Sequence, residues 1–474
     1  MPFAIGGNQL DTGYEVSNSL RFNDNDDPFL ARTPSSEGNR KTWTFSIWFK
    51  RSNLTSGALF TAGASGQDET TIRLESNFID WQLFKVSTSS TIGRLITSQQ
   101  LRDVSAWYHL VCAYDSTNST AGDRMKMFLN GNEITSFTTD TNPTQNYDAM
   151  INNTVIHNIG RQSWNNSGYF DGYLAEVNLI DGQQLLPTSF GEYNDNGVWI
   201  PKEYSGTYGT NGFFMQFKQT GFSANSSGIG ADTSGNDNHF SISNLTEIDV
   251  TTDTCTNNFI TMNPLATNSR GTFTQGNCEI STNVSGSSPF GQVEFGTFAV
   301  NKGKWYFEAK LISAGSGGKM GIGINERWET NKYTNGHNNI GSSGNAFYSN
   351  QGDIKVGTGS DQSASSYSND DVIGVAFDLD NSKVYFHKEG VYQRSGDPAN
   401  GTGGDTLTST FNDYWTVWVT KDDTNHNTNV KFNFGNAPYS ISSGNSDSEG
   451  FGNFEYAVPS GYFALCTKNL AEYG

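Results

Sequence analysis

The chain of 474 residues is short of charge, and shortest of positive charge: 16% of residues are Asp, Glu, Lys or Arg, and 29 Lys and Arg stand against 48 Asp and Glu. A surface that tracks phosphates needs clustered Lys and Arg, and no such cluster occurs, so a nucleic-acid partner is not expected. The net charge of −19 reads more simply as keeping a large assembly soluble than as an acidic site for a cationic ligand. Cysteine is scarce. Cys112, Cys255, Cys278 and Cys466 are too few for a disulfide framework and lack the Cys-x-x-Cys spacing of zinc sites; Cys112, inside YHLVCAY, reads as a small buried hydrophobe. No 18 apolar residues run together, and the opening MPFAIGGNQLDTGYEVSNSL has neither the basic region nor the apolar core of an export signal. The expectation is a soluble protein made in a cytosol, without membrane insertion. On that reading the N-x-S/T triplets at Asn53, Asn118 and Asn165 are polar loop composition. His109, His157, His239, His337, His387 and His426 show no H-x-x-H or H-E-x-x-H spacing, and there is neither a G-x-S-x-G elbow nor a phosphate-binding Gly loop. No cofactor or catalytic metal is expected. A sustained 3.6-residue apolar period is also missing, which excludes a coiled coil.

What is present is glycine (52 residues), aromatics (13%) and a surplus of Asn, Ser and Thr, the composition of short strands joined by polar turns. The fold class expected is all-β: two antiparallel β-sandwich (jelly-roll) domains with an irregular β-rich connecting region. SLRFN, TWTFSIWFK, TTIRLES, AWYHLVCAY, RMKMFLNG, TVIHNIG and GYLAEVNLID alternate or run apolar between clusters of Gly, Asn, Asp and Ser. In TWTFSIWFK, Trp43, Phe45, Ile47 and Phe49 share one face, and Thr42, Thr44, Ser46, Trp48 and Lys50 the other, predicting a half-buried strand with one extra aromatic outside. VCAYDSTNSTAGDRMKMFLNG at 111–131 and GVAFDLDNSKVYFHKEG at 374–390 are similar hairpin-like units, one in each half. The expected organisation is an arm at 1–17, a sandwich at 18–200, a connecting region at 201–290 that packs on its neighbours, a second sandwich at 291–437, and a docking tail at 438–474.

The combination SLRFNDND, WTFSIWFKRS, AWYHLVCAYDST, MKMFLNGNEI and YFDGYLAEVNLIDGQQL resembles the laminin-G-like, concanavalin A-type jelly rolls common in virion proteins of marine bacteriophages. GKWYFEAKLI, GIGI, DDVIGVAFDLDNSKVYFHKEGVY and VKFNFG resemble a SPRY domain, and VPSGYFALCTKNL the tail that follows SPRY modules in such proteins. The resemblance implies a particle-associated protein that binds rather than catalyses: a tail fibre or receptor-binding appendage, or a head-attached fibre or decoration protein. Its partners would be other virion proteins and a host-surface glycan or protein, and the assembly a homo-oligomer, a trimer by analogy with fibres. Laminin-G-like domains bind carbohydrate or protein and sometimes use calcium; SPRY domains bind protein surfaces through loops.

Four groups of residues are candidate sites. Glu176, Asn178 and Asp181 fall at near-alternate positions of one strand, loosely like the strand on which a sandwich glycosidase carries two carboxylates about 5–5.5 Å apart. Asn178 cannot ionise and Asp181 precedes Gly182, so a closing structural strand is the expectation and no catalytic residue is assigned. In the loop SWNNSGYFDG, Trp164, Asn165, Asn166 and Tyr169 supply the aromatic face and planar amides that sugar recognition needs; a rim-capping Trp among turn asparagines is the alternative. Asp232, Ser234, Asn236 and Asn238 in GADTSGNDNHF have an oxygen-rich spacing superficially like a structural Ca2+ loop, but it lacks the later bidentate Glu, and a hydrogen-bonded turn is the simpler expectation. Trp328, Tyr333 and Tyr348 lie where loops of the second sandwich would meet a partner, unless they are core.

Overall fold

The structure, a computed structural model, describes residues 13–265, 271–282, 292–314, 319–326, 344–409, 414–421 and 427–474. Their regular elements are β-strands and short 3-10 turns, with one short α-helix, Thr467–Tyr473, among the described residues. The chain divides into two compact units between Thr256 and Asn257. In all four main sheets the ladders are antiparallel, apart from the short parallel pairing of Phe463–Ala464 with Trp305–Tyr306.

The first unit is a sandwich of two sheets with eight described strands each. Sheet A runs Asn132–Glu133, Met125–Leu129, Tyr108–Asp115, Thr42–Arg51, Gly172–Asp181, Ser19–Phe22 and Val250–Thr251, with Phe213–Met215 also paired to Gly172–Asp181. Sheet B runs Phe137–Thr141, Ser90–Thr97, Phe78–Lys85, Glu69–Glu75, Gly57–Ala62, His157–Ile159, Phe29–Arg32 and Ser241–Ser243. Their facing sides interdigitate in one core, in which Leu20, Phe45 and Cys112 of sheet A meet Leu30, Phe60, Ile72, Trp81 and Leu95 of sheet B. Burying each such large side chain contributes roughly 1.5–3 kcal/mol, so the alternation of these strands is what fixes which side faces in.

Thr42–Arg51 corrects one expectation. Trp43, Phe45, Ile47 and Phe49 do enter the core, but nine of its ten residues are buried because the outer face is covered too. Trp48 packs outside with Val16, Ala175, Trp199 and Cys255. Lys50 is paired with Asp253 at 2.7 Å, both buried, and Trp107 Nε1 donates to the same carboxylate at 3.2 Å. Segments before and after the jelly roll thus seal the back of sheet A. That accounts for the aromatic content after residue 201: Phe213–Met215 pairs with Val177–Leu179, Ser241–Ser243 with Phe29–Ala31, and Val250–Thr251 with Ser19–Leu20, all within the first unit.

In the second unit, sheet C runs Gly271–Thr274, Glu279–Thr282, Thr428–Asn433, Lys304–Ser313, Val372–Asp378, Lys383–Lys388 and Val391–Tyr392, with two short strands attached. Sheet D runs Gln292–Phe295, Thr416–Lys421, Met320–Asn325, Asn345–Ser349, Asp353–Val356 and Gln362–Ser363. Trp305, Phe307, Ile373 and Phe432 of sheet C pack on Met320, Ile322, Tyr348 and Val417 of sheet D. On the outer side of sheet C, Tyr306, Ala376 and Tyr385 are covered by Phe454, Tyr462 and Cys466 of the C-terminal stretch.

Candidate functional site

Sheet B keeps part of its outer face for solvent. Glu69–Glu75 sends Thr70, Ile72 and Leu74 inward, which leaves Glu69, Thr71, Arg73 and Glu75 outward. Its neighbour pairs Glu69 with Phe84, Thr71 with Gln82 and Arg73 with Asp80, so these three stand on the same outer face. Over them folds the loop after His157–Ile159. Gln162 N–H donates to Ser167 O at 2.9 Å, and Ser163 is clamped by Thr61 Oγ1 at 2.5 Å and by Asn158 Nδ2 at 2.7 Å. This hairpin holds Trp164, 48% exposed, beside a groove of about 470 Å3 whose lining includes Glu69, Arg73, Gln82, Phe84 and Gln162.

Charge in the groove is unevenly satisfied. Asp80, fully buried, accepts from Arg73 Nε and Nη2 at 3.0 and 2.8 Å and from Arg94 Nε and Nη2 at 2.9 Å each. Arg73 is drawn also to Glu75 at 3.0 Å, so its charge is spent within the protein. Glu69 is different. It is 7% exposed, and its Oε1 is buried with no hydrogen-bond partner. Burial pushes its carboxyl above the usual range; the Thr71 hydroxyl, the backbone N–H groups of Trp164 and Ser163, and Arg73 lie close enough to oppose that rise, but none bonds Oε1.

Of the loop residues read from the sequence, Trp164 lines this groove. Asn165 and Asn166 shape the hairpin: Asn165 Oδ1 accepts from Ser167 N at 3.2 Å, Asn166 takes a left-handed φ of 52°, and Tyr169 Oη donates to Asn166 O at 3.2 Å. Glu69, Arg73, Gln82 and Phe84 were not singled out from the sequence. The signal was the polar alternation of TTIRLES, which names the outward positions but not what stands above them.

The Asp232 cluster is a hydrogen-bonded turn. Asp232 Oδ1 accepts from Phe214 N and Ser234 N, both at 2.8 Å, and Oδ2 from Asn238 N at 2.8 Å and Ser234 Oγ at 2.9 Å. Asn236 and Asn238 turn their amide nitrogens to the carbonyls of Gly209, Thr210 and Gly212 at 2.7–3.0 Å. A cation at Asp232 would have to displace four donors.

On Gly172–Asp181 the structure departs from strict alternation. A bulge falls between Ala175 and Asn178, with Glu176 at φ 49°, so Leu174, Val177 and Leu179 enter the core while Ala175 and Ile180 pack outside. A left-handed non-Gly residue costs on the order of 1 kcal/mol. Here it aims the Glu176 carboxyl outward, where Tyr14 Oη donates to Oε2 at 2.8 Å. Burial, chiefly, raises its pKa to about 7. Asp181 is bound elsewhere: Oδ1 accepts from Asn39 N at 2.7 Å and Asn152 Nδ2 at 3.0 Å, and Oδ2 from Asn211 N at 3.0 Å. Asn178 is held by Tyr208 Oη at 3.2 Å. The three letters serve three separate structural contacts.

In the second unit Trp328 and Tyr333 lie outside the described residues. Tyr348 is not in a loop. It sits on Asn345–Ser349, opposite Ile322, fully buried, with its hydroxyl donated to Ser365 O and its ring 5.0 Å from that of Tyr367; it is core and cannot meet a partner. The polar centre of this unit is Glu308, fully buried on the outer side of sheet C. Oε1 accepts from Tyr306 Oη at 2.9 Å and Tyr456 N at 2.8 Å; Oε2 accepts from Glu455 N at 2.9 Å and Asn433 Nδ2 at 3.1 Å. Gly390 N–H donates to His387 Nδ1 at 3.2 Å, which leaves Nε2–H to donate to Tyr306 Oη at 2.7 Å. Burial drives that imidazole down to about 3. The ring fits because residue 374 is glycine: a Cβ there would lie 1.8 Å from Nε2.

Comparison with known families agrees with both sandwiches. Residues 23–185 match the Laminin_G_3 model, described as the concanavalin A-like lectin/glucanases superfamily, and residues 304–437 match the SPRY domain. The chain joins a concanavalin A-like sandwich to a SPRY-like one. Solved structures with similar chains include the SPRY domain of human HERC1 (16% identity, 36% of this chain and 96% of that one, TM-score 0.27). Others are a putative carbohydrate binding protein from Bacteroides ovatus (11%, 50% and 60%, 0.34) and domains LG4-5 of the mouse laminin alpha1 chain (11%, 86% and 84%, 0.29). At these scores they carry nothing about ligand. No curated protein matches the chain.

Proposed function

We propose that the chain is a non-enzymatic adhesion protein whose first sandwich binds glycan in the groove beside Trp164. The observation that carries this is a half-exposed indole beside a groove of about 470 Å3 that also offers Phe84, three glutamine amides and a carboxylate. Aromatic rings match the apolar side of a pyranose, and planar amides and carboxylates match its hydroxyls. The second sandwich would serve as a protein-docking module. The order of the two modules supports placing the protein on a bacteriophage virion, as a trimeric tail fibre or receptor-binding appendage, where many copies would make a shallow single site sufficient.

A printed array of bacterial surface glycans tests the groove: the purified chain binds a subset of spots, and Trp164→Ala loses them. Binding to no glycan, or binding unchanged in Trp164→Ala, overturns the groove as the site. Immunogold electron microscopy of particles tests the placement. Label on the tail supports a fibre, label on the head moves the protein to the decoration or head-fibre role, and unlabelled particles overturn a virion location.

A further inference from the structure

The net charge of the chain says little about its ligand, but one local charge says more. Around the groove, Asp80 is matched by two guanidinium groups, and Arg73 is already bound to Asp80 and Glu75. Glu69 is left as the carboxylate with an oxygen, Oε1, that is buried and bonded to nothing. An uncompensated buried acceptor costs roughly 1–3 kcal/mol, more if charged. A donor arriving in the groove removes that cost, and a cationic donor removes most of it, since it also restores the ionised form that burial disfavours. The same geometry repels an acid: a uronate or sulfate brought to Glu69 would face a like charge away from bulk water. Beside Glu69, the exposed face of Trp164 suits both the apolar side of a sugar ring and an adjacent positive charge.

We propose that the groove takes an oligosaccharide through a hexosamine with a free, protonated amine, the ammonium donating to Glu69 Oε1 and the ring lying on Trp164. This rests on the glycan-binding reading above and adds to it the charge of the sugar.

The test is calorimetric titration of the full chain at pH 5.5 with three hexasaccharides: glucosamine, its fully N-acetylated counterpart, and galacturonate. About 0.3 M salt screens the diffuse attraction between an acidic protein and a polycation. The glucosamine hexamer is expected to bind about tenfold or more tighter than the N-acetylated one, and galacturonate not to bind. Glu69→Gln should abolish the preference, so that the two sugars bind within about twofold of each other; Trp164→Ala should weaken both sugars about tenfold or more. One changed charge out of many cannot alter diffuse attraction, so loss of preference in Glu69→Gln is specific to the groove. Equal binding of the two hexamers, or a preference that survives Glu69→Gln, overturns the amine assignment and leaves the groove as a glycan site. Binding of no hexamer, or binding indifferent to Trp164→Ala, overturns both.

Discussion

Each sandwich buries a glutamate on the outer side of one sheet, and the two are treated in opposite ways. Glu308 accepts four hydrogen bonds, two of them from the backbone of residues 455 and 456, so the C-terminal stretch closes over it. Glu69 lines a groove, and its buried Oε1 has no hydrogen-bond partner. Burial pushes both carboxyls upward. A raised pKa is therefore common to both carboxyls, and what differs is how many donors each one meets. Glu176 stands between them, buried with one donor, Tyr14.

The largest effect should come from breaking the satisfied member. Glu308→Ala leaves the Tyr306 hydroxyl, the Asn433 amide and two backbone N–H groups without an acceptor, and the second sandwich should lose roughly 3–5 kcal/mol, read as a lower midpoint for its transition in calorimetry. Glu69→Gln, at the other extreme, should change the first sandwich by no more than ~1 kcal/mol of either sign. Equal losses in the two variants would break the contrast and make Glu69 a structural residue.

Glu176 sharpens the comparison through pH. Its folded pKa of about 7 lies above the free value of 4.5. Between those values the folded chain holds a proton that the unfolded chain has released, so stability should fall as pH rises across that window, by at most ~3 kcal/mol. Urea midpoints from pH 4.5 to 8 should show this slope, and Glu176→Gln should flatten it. A parent without the slope, or a variant that keeps it, would assign the pH dependence elsewhere.

The smallest effect concerns the Asp232 turn. Its four donors already occupy both carboxylate oxygens, so millimolar Ca2+ should shift the melting temperature by less than about 1 °C. A rise of several degrees, lost in Asp232→Ala, would turn this cluster from a turn into a cation site.

Fold class and the inward faces of the strands were legible, because period-two patterns such as Trp43, Phe45, Ile47 and Phe49 survive any detail of packing. What lies on the outer faces was not. Trp48 and Tyr306 are covered by segments remote in sequence, which no local pattern announces. The bulge at Glu176 reverses the alternation midway along one strand. Tyr348, flanked by Asn and Gly, looks like loop until its pairing with Ile322 is known. Within the groove Trp164 was legible as an aromatic in a polar loop; its companions at 69, 82 and 84 were not, since sheet register alone brings them beneath it.

Glycan binding by the first sandwich depends on an oligosaccharide ring resting on Trp164. The most direct measurement follows the tryptophan indole N–H resonances of the 15N-labelled chain, with Trp164 assigned by Trp164→Ala, as the glucosamine hexamer is added. The Trp164 resonance should shift progressively and saturate while those of the core residues Trp43, Trp81 and Trp305 stay in place. A Trp164 resonance that does not move at saturating sugar, or one that moves no more than the core tryptophans, would contradict it.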